Sequence, residues 1–147
     1  MRIKISTRVE ADYRKVFAKF DQHLFLKLNP PLMPVKLLRF DGMNVNDEVH
    51  LELNFPGKKQ LWVSRITEYA AGSEEIYFVD EGIQLPFFLK SWRHFHRIIR
   101  QGNHSAIVDD IFFECKWAFL DYLIYPFLYL QFLYRKPVYR RFFNLPH

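Results

Sequence analysis

KWAFLDYLIYPFLYLQFLYRKPVYRR, residues 116–141, is apolar on almost every side when wound as a helix. Its 26 residues would extend roughly 39 Å at 1.5 Å per residue. Phe119, Leu123, Phe127, Leu130 and Tyr134 fall on one face, while Leu120, Ile124, Leu128 and Phe132 fill others. A helix that is apolar all round must be enclosed by protein or lipid. The residues upstream read as short strands able to supply that enclosure, so the expected architecture is a curved sheet closed around one long helix. Pro126 and Pro137 each remove a backbone hydrogen bond and clash with the carbonyls of Tyr122 and Leu133. Such a defect costs about 3 kcal/mol in an isolated helix interior. A kink or split near Pro126 is therefore expected.

Upstream, Ile3, Ile5, Thr7 and Val9 alternate with Lys4, Ser6 and Arg8, the signature of a strand with one buried face. Val16, Phe17, Phe20, Leu24 and Leu28 then recur at helical spacing, and Pro30 and Pro31 end the pattern. Two short helices with a break near Phe20–Asp21 fit this length. Val35 to Phe40 reads as a strand, Gly42 to Asn46 as a turn, and Glu48 to Phe55 as the most strictly alternating strand of all. Pro56-Gly57-Lys58-Lys59 reads as a hairpin loop into Gln60–Tyr69, followed by Glu74–Glu81. Ile83 to Phe88, with Pro86 inside it, reads as a crossing or edge segment. Ser91–Arg100 and His104–Glu114 complete the series. Strands joined by tight turns imply an antiparallel sheet, and helices at both ends of the chain make the class α+β. No linker or repeat interrupts residues 1–147, so a single domain is expected.

Composition narrows the function. Half of the residues are hydrophobic and 18% are aromatic, with 16 Phe, which suits a bulky core or a ring-lined cavity. Cys115 is the lone cysteine, so no intrachain disulfide forms, as in a reducing compartment. The N-terminus alternates at strand period and lacks a signal peptide's apolar run. A cytoplasmic location is expected. Trp117 to Leu133 is at the short limit for a membrane span and carries Asp121, Gln131 and Pro126, so no span is expected. A net charge of +5 permits contact with acidic surfaces without demanding it. Five glycines are too few for a phosphate-cradling loop, and no Walker A, Gly-x-Gly-x-x-Gly, His-Glu-x-x-His or Gly-x-Ser-x-Gly motif occurs. Cys115 has no evident base partner. The basic residues fall into two groups, Lys90, Arg93, Arg97 and Arg100 on a strand and Arg135, Lys136, Arg140 and Arg141 in the last helix. A solvated face and a helix C-terminus favoured by the dipole are the plainer reading, and contact with phosphate or anionic lipid the sharper one. Neither group carries the aromatic platform of a single-strand nucleic-acid binder, and no nucleic-acid partner is expected.

One strand concentrates the chemistry. Alternation puts Trp92, His94, His96 and Ile98 on one face and Arg93, Phe95, Arg97 and Ile99 on the other. The arginines suit solvent, so the Trp–His–His face points inward. Ser105, Ile107, Asp109, Ile111 and Phe113 share the inward face of the next strand, with Asp109 in reach of the histidines and Asp80 or Glu81 as further neighbours. Three roles compete. Asp109 pairs structurally with a histidine or a turn; His94 and His96 orient the polar end of an apolar ligand; or a histidine acts as general acid or base with Asp109 fixing its tautomer. A metal held by His94, His96 and Asp109 is conceivable, but His-x-His on a strand is a weak signal alone. No metal or other cofactor is expected.

Phe78-Val79-Asp80-Glu81, Pro86-Phe87, Trp92-Arg93-His94-Phe95-His96 and Ser105 to Asp109 together resemble the SRPBCC superfamily, the START/Bet v 1-like helix-grip proteins, in particular small bacterial ligand-binding and polyketide cyclase-like members. Val16-Phe17 and the Arg135 region also fit, and the resemblance spans essentially the whole chain. The family usually has a glycine before the proline–aromatic pair, where this chain has Gln84-Leu85. The resemblance implies about seven curved antiparallel strands around a C-terminal helix, a deep apolar cavity between them, and binding of lipids, sterols or polyketides. Enzymes occur in only some branches. A hydrophobic small-molecule ligand is therefore expected, with Trp62, Trp92, Phe78, Phe113 and Phe127 as apolar walls and His94, His96 and Asp109 as polar elements. The alternatives are a cyclase or dehydratase using His94 or His96 as base, and a peripheral membrane or partner-binding protein using the basic, aromatic C-terminus.

Overall fold

The computed structural model describes residues 1–30 and 35–144; Pro31, within the expected helix stop, lies outside them. Strand β1 (Arg2–Val9) buries Ile3, Ile5, Thr7 and Val9 in strict alternation. Helices α1 (Tyr13–Ala18) and α2 (Gln22–Lys27) follow. The side chain of Asp12 accepts a hydrogen bond from the Arg14 N–H and that of Asp21 from the Leu24 N–H. Each aspartate so satisfies an orphan donor of a first turn, and Asp21 sits at the expected break.

Strands β2 (Val35–Phe40), β3 (Glu48–Phe55), β4 (Lys58–Ala71), β5 (Glu75–Gln84), β6 (Leu89–Gln101) and β7 (His104–Cys115) then run as antiparallel neighbours. The seven-stranded order is β1-β7-β6-β5-β4-β3-β2, so the first strand closes onto the last. The bounds of β2 and β3 agree with the alternation in the sequence. The β3–β4 connection is tighter than expected: Phe55 pairs with Lys58, and Gly57 takes φ 74 at the second turn position. Only glycine reaches that conformation without steric cost. Ile83 and Gln84, expected in a crossing segment, continue β5 instead, with Gln84 paired to Val63. Register shifts between Val63/Ser64 and Ile66/Glu68 leave Ile83 of β5 and Thr67 of β4 as extra residues in the β4–β5 ladder. Such irregularities bend a strand and raise its twist.

The C-terminal stretch forms α3 (Ala118–Leu133) and α4 (Arg135–Asn144). The helix is not split at Pro126. Pro126 lies inside α3, and the carbonyl it leaves without a donor belongs to Tyr122, on the solvent side. The interruption falls at Tyr134, where Pro137 removes the N–H that would have bonded Leu133. In the first turn of α4, a proline N–H is not needed. One core cluster lies under α1, α2 and α4 around Val16, Phe20, Phe78, Ile107, Tyr139 and Phe143. A second lies under α3 around Ile5, Trp92, Ile111, Phe113, Leu128 and Phe132.

The sheet covers only the inner face of α3, so the expected full enclosure does not hold. Phe119 (63% exposed), Tyr122 (73%), Leu123 (64%) and Leu130 (59%) stand in the open. The sheet curves past one side of the helix and has no strand left for the other. Among the described residues no helix, the 16-residue α3 included, is long and apolar enough to cross a membrane.

Candidate functional site

The inner face of the central strands carries a connected set of polar side chains. Antiparallel register sets Asp80 of β5 opposite His94 of β6, and His96 opposite Asp109 of β7. His94 Nε2 lies 2.9 Å from Asp109 Oδ1, and His96 Nε2 lies 2.5 Å from Asp80 Oδ2. Trp92 Nε1 donates to Asp80 Oδ1 at 3.3 Å. From the other side, Arg135 at the start of α4 donates through Nη1 to Asp109 Oδ1 at 3.3 Å. The two imidazoles sit with centroids 3.6 Å apart, the i, i+2 spacing of one strand face. Phe78 stacks on His96 at 4.3 Å and 9°, and the Arg135 guanidinium lies 4.3 Å from the Phe132 ring centre. Aromatic surfaces thus fix the rotamers of the polar groups.

Burial dominates the electrostatics. It pushes the His94 pKa down to about 4, with repulsion from His96 adding to it, against the opposing pull of Asp109 and Asp80. His94 is therefore neutral near pH 7. Burial also opposes ionisation of Asp80 and Asp109, but the hydrogen bonds from His96 and His94 and the nearby positive charge outweigh it. Both carboxyls are held below their usual range. Tyr139, buried beside Asp109 and Arg135, has its pKa raised and keeps its hydroxyl proton. Cys115, where burial and then Asp121 raise the thiol to about 11, is unreactive.

Two adjoining cavities open beside this set. The larger, about 520 Å³, is walled by Leu37, Leu51, Trp62, Phe88, Ile124 and Phe127 among other apolar side chains, with Asn29, Gln131 and Arg135 as its polar lining. Leu26 and Phe87 line it and are half exposed, which places an opening there. The smaller, about 120 Å³, is lined by Ser64, Phe78, Asp80, His94 and His96. Phe25, Leu28, Trp92, Phe132 and Arg135 border both.

The expected site residues divide accordingly. Trp62, Trp92 and Phe127 wall the larger cavity; Phe78, His94 and His96 wall the smaller. Asp109 and Phe113 line neither. Asp109 is 2% exposed and sits behind His94, while Phe113 is packed into the core under α3. Inward alternation on β7 brings both to the sheet face, but the helices cover that end of it. The resemblance's emphasis on the histidines left two participants out. Asp80, noted only as a neighbour, bonds His96 directly. Arg135, grouped with cations favoured by a helix C-terminus, instead opens α4 and turns inward. The break at Tyr134 caused that difference. The strict alternation of Leu51, Leu53 and Phe55 was the available signal for the wall on β3.

Comparison with known proteins is informative at the level of fold alone. No family model and no curated protein matches this sequence. Among solved structures, protein Ms6760 from Mycobacterium smegmatis is similar at TM-score 0.68 and 12% identity, covering 99% of this chain and 92% of that one. The Zhui aromatase/cyclase from a Streptomyces species is similar at TM-score 0.56 and 16% identity, over 80% and 70% of the two chains. Norcoclaurine synthase from Thalictrum flavum is similar at TM-score 0.60 and 13% identity, over 86% and 76%. The chain has the Bet v 1-like helix-grip fold. In helix-grip terms, α3 and α4 are the two halves of the gripped helix, and the cavities lie in the grip between them, α2 and the sheet.

Proposed function

We propose that this helix-grip protein binds an elongated hydrophobic small molecule with one polar, hydrogen-bond-accepting end. The carrying observation is the adjacency of an apolar cavity of about 520 Å³ to a smaller one with a polar floor, both bordered by Arg135. Pockets of roughly 300–1,000 Å³ with few, well-placed polar groups are the usual form of small-molecule sites. The apolar body lies between Trp62, Leu51 and Phe127, and its polar end accepts from Arg135, whose five N–H donors are not exhausted by Asp109. Additional support comes from norcoclaurine synthase of the same fold, solved in complex with dopamine and hydroxybenzaldehyde.

The test is a fluorescence titration with long-chain fatty acids and an apolar dye. Trp62 and Trp92 report from the cavity wall, and Trp117 lies outside it. Saturable quenching is expected, weakened at least tenfold by Leu37→Trp, which fills the cavity from the edge strand β2. Equal binding by the filled variant would refute a ligand in the grip.

A second reading is favoured by the uncovered face of α3. Between Lys116 and Lys136 its outer surface presents Phe119, Tyr122, Leu123, Tyr129 and Leu130 with no charged side chain, and Lys136, Arg140 and Arg141 follow. An apolar stripe with aromatic residues and flanking cations suits the interface of an anionic bilayer. Phe127 belongs to both this face and the cavity wall, so docking there would bring the cavity to the membrane.

A further inference from the structure

We propose that Asp80, His94 and His96 form a binding site for a divalent transition-metal ion, with open coordination positions facing the smaller cavity. One donor atom from each residue can be chosen so that all three lie within 4.8 Å of one another. Atoms so grouped can all reach one ion at about 2.0–2.2 Å once the direct His96–Asp80 hydrogen bond opens to admit it. Two imidazoles and one carboxylate suit zinc, cobalt or ferrous ion better than magnesium or calcium, which prefer all-oxygen ligation.

The hydrogen-bond directions make the case. Asp109 accepts from Arg135 and is an anion, so the nitrogen of His94 that faces it at 2.9 Å carries the proton. That fixes the tautomer and leaves His94 Nδ1 as a bare lone pair. Nδ1 points toward Asp80 Oδ2 at 3.6 Å, outside hydrogen-bond distance. Asp80 is itself an acceptor, taking N–H groups from His96 and Trp92. Two acceptors therefore face each other in a site where His94 is only 3% exposed. Such an arrangement is repulsive unless a cation sits between them. A metal ion between His94 Nδ1 and Asp80 Oδ2 supplies that cation.

The surroundings match a metal centre in two further ways. Ligating histidines commonly donate their second nitrogen to a carboxylate, and Asp109 holds His94 in this manner while Trp92 holds Asp80. Two carboxylates against one guanidinium leave the set with one net negative charge, which a divalent ion reverses to one positive. On binding, the ion takes the place of the His96–Asp80 hydrogen bond, and His96 ligates through Nε2 as the neutral Nδ1–H tautomer. Ser64, Ile66, Phe78 and Trp92 wall the side left open, where an oxygen of a ligand could complete the coordination. The ion site does not depend on the hydrophobic-ligand proposal.

The test uses the full chain, stripped with chelator and titrated with Co²⁺ and Zn²⁺ alone by calorimetry, with absorption spectra for Co²⁺. One ion per chain and a Zn²⁺-dependent rise in melting temperature are expected. His96→Asn and Asp80→Asn should each lose at least tenfold in affinity, and Asp109→Asn, acting through His94, about 10–100-fold. His23→Gln and His50→Gln, outside the site, should bind as the parent does. Because the site variants disturb buried partners, electron spin-echo measurements on the Cu²⁺-loaded parent protein provide a second readout, with two imidazole nitrogens expected. No stoichiometric binding by the parent protein, undiminished affinity in both His96→Asn and Asp80→Asn, or fewer than two coordinated imidazoles would each overturn the proposal. A self-contained hydrogen-bond network would give the first of these results.

Discussion

His94 illustrates how much a single buried residue is asked to do. It is wedged between two carboxylates, yet burial keeps it neutral near pH 7. Its pKa of about 4 in the fold lies below the 6.5 of an unperturbed histidine. Between these values the unfolded chain binds a proton that the folded chain does not, so stability rises with pH across that window. Above pH 6.5 the contribution is complete; it is lost as pH falls toward 4, by an amount on the order of 3 kcal/mol. Asp80 and Asp109, both held below the usual carboxylate range, extend the loss to lower pH. Melting temperature recorded without added metal should fall from pH 7 to pH 4.5, and His94→Gln should flatten the slope in this window. An unchanged slope in the variant would mean that another group titrates. Asp109→Ala is expected to destabilise by about 3–5 kcal/mol in urea unfolding, because it leaves Arg135 without its buried partner.

At the scale of elements, the short helices were legible because their punctuation is local. Asp21 and the spacing of Phe20 and Leu24 fix a cap and a face within one turn. The long C-terminal helix was harder. Its composition is apolar on all sides, and composition does not say which side a curved sheet can reach. Pro126 and Pro137 are equal as sequence signals; the solvent beside Tyr122 and the first-turn place of Pro137 decide between them. The outer face of α3 gives an element-scale prediction. Leu123 and Leu130 stand mostly in solvent, so Leu123→Glu and Leu130→Glu should each change unfolding free energy by less than about 0.5 kcal/mol. Sedimentation with vesicles of anionic lipid at low salt should show binding by the parent chain and little by the double variant. Equal sedimentation of the two would remove α3 as a docking face.

For the whole molecule, the strand series, the antiparallel order and the inward Trp–His–His face followed from period-2 alternation. The cavity walls followed less completely. Leu51, Leu53 and Phe55 lie on a strand whose alternation was plain, but which side of it met empty space depended on how far α2 and α3 stand off the sheet. Arg135 was invisible as a site residue for the same reason: its direction is set by a helix break and by a partner 26 positions away. The central claim concerns the whole grip, a space held open for an apolar molecule. The most direct test is mass spectrometry of solvent extracts of the purified native protein against a mock purification, with Leu37→Trp as a second control. An apolar compound with one polar end, near stoichiometric in the parent protein and depleted in the filled variant, is the expected result. The same compound at equal occupancy in both proteins would contradict a ligand held in the grip.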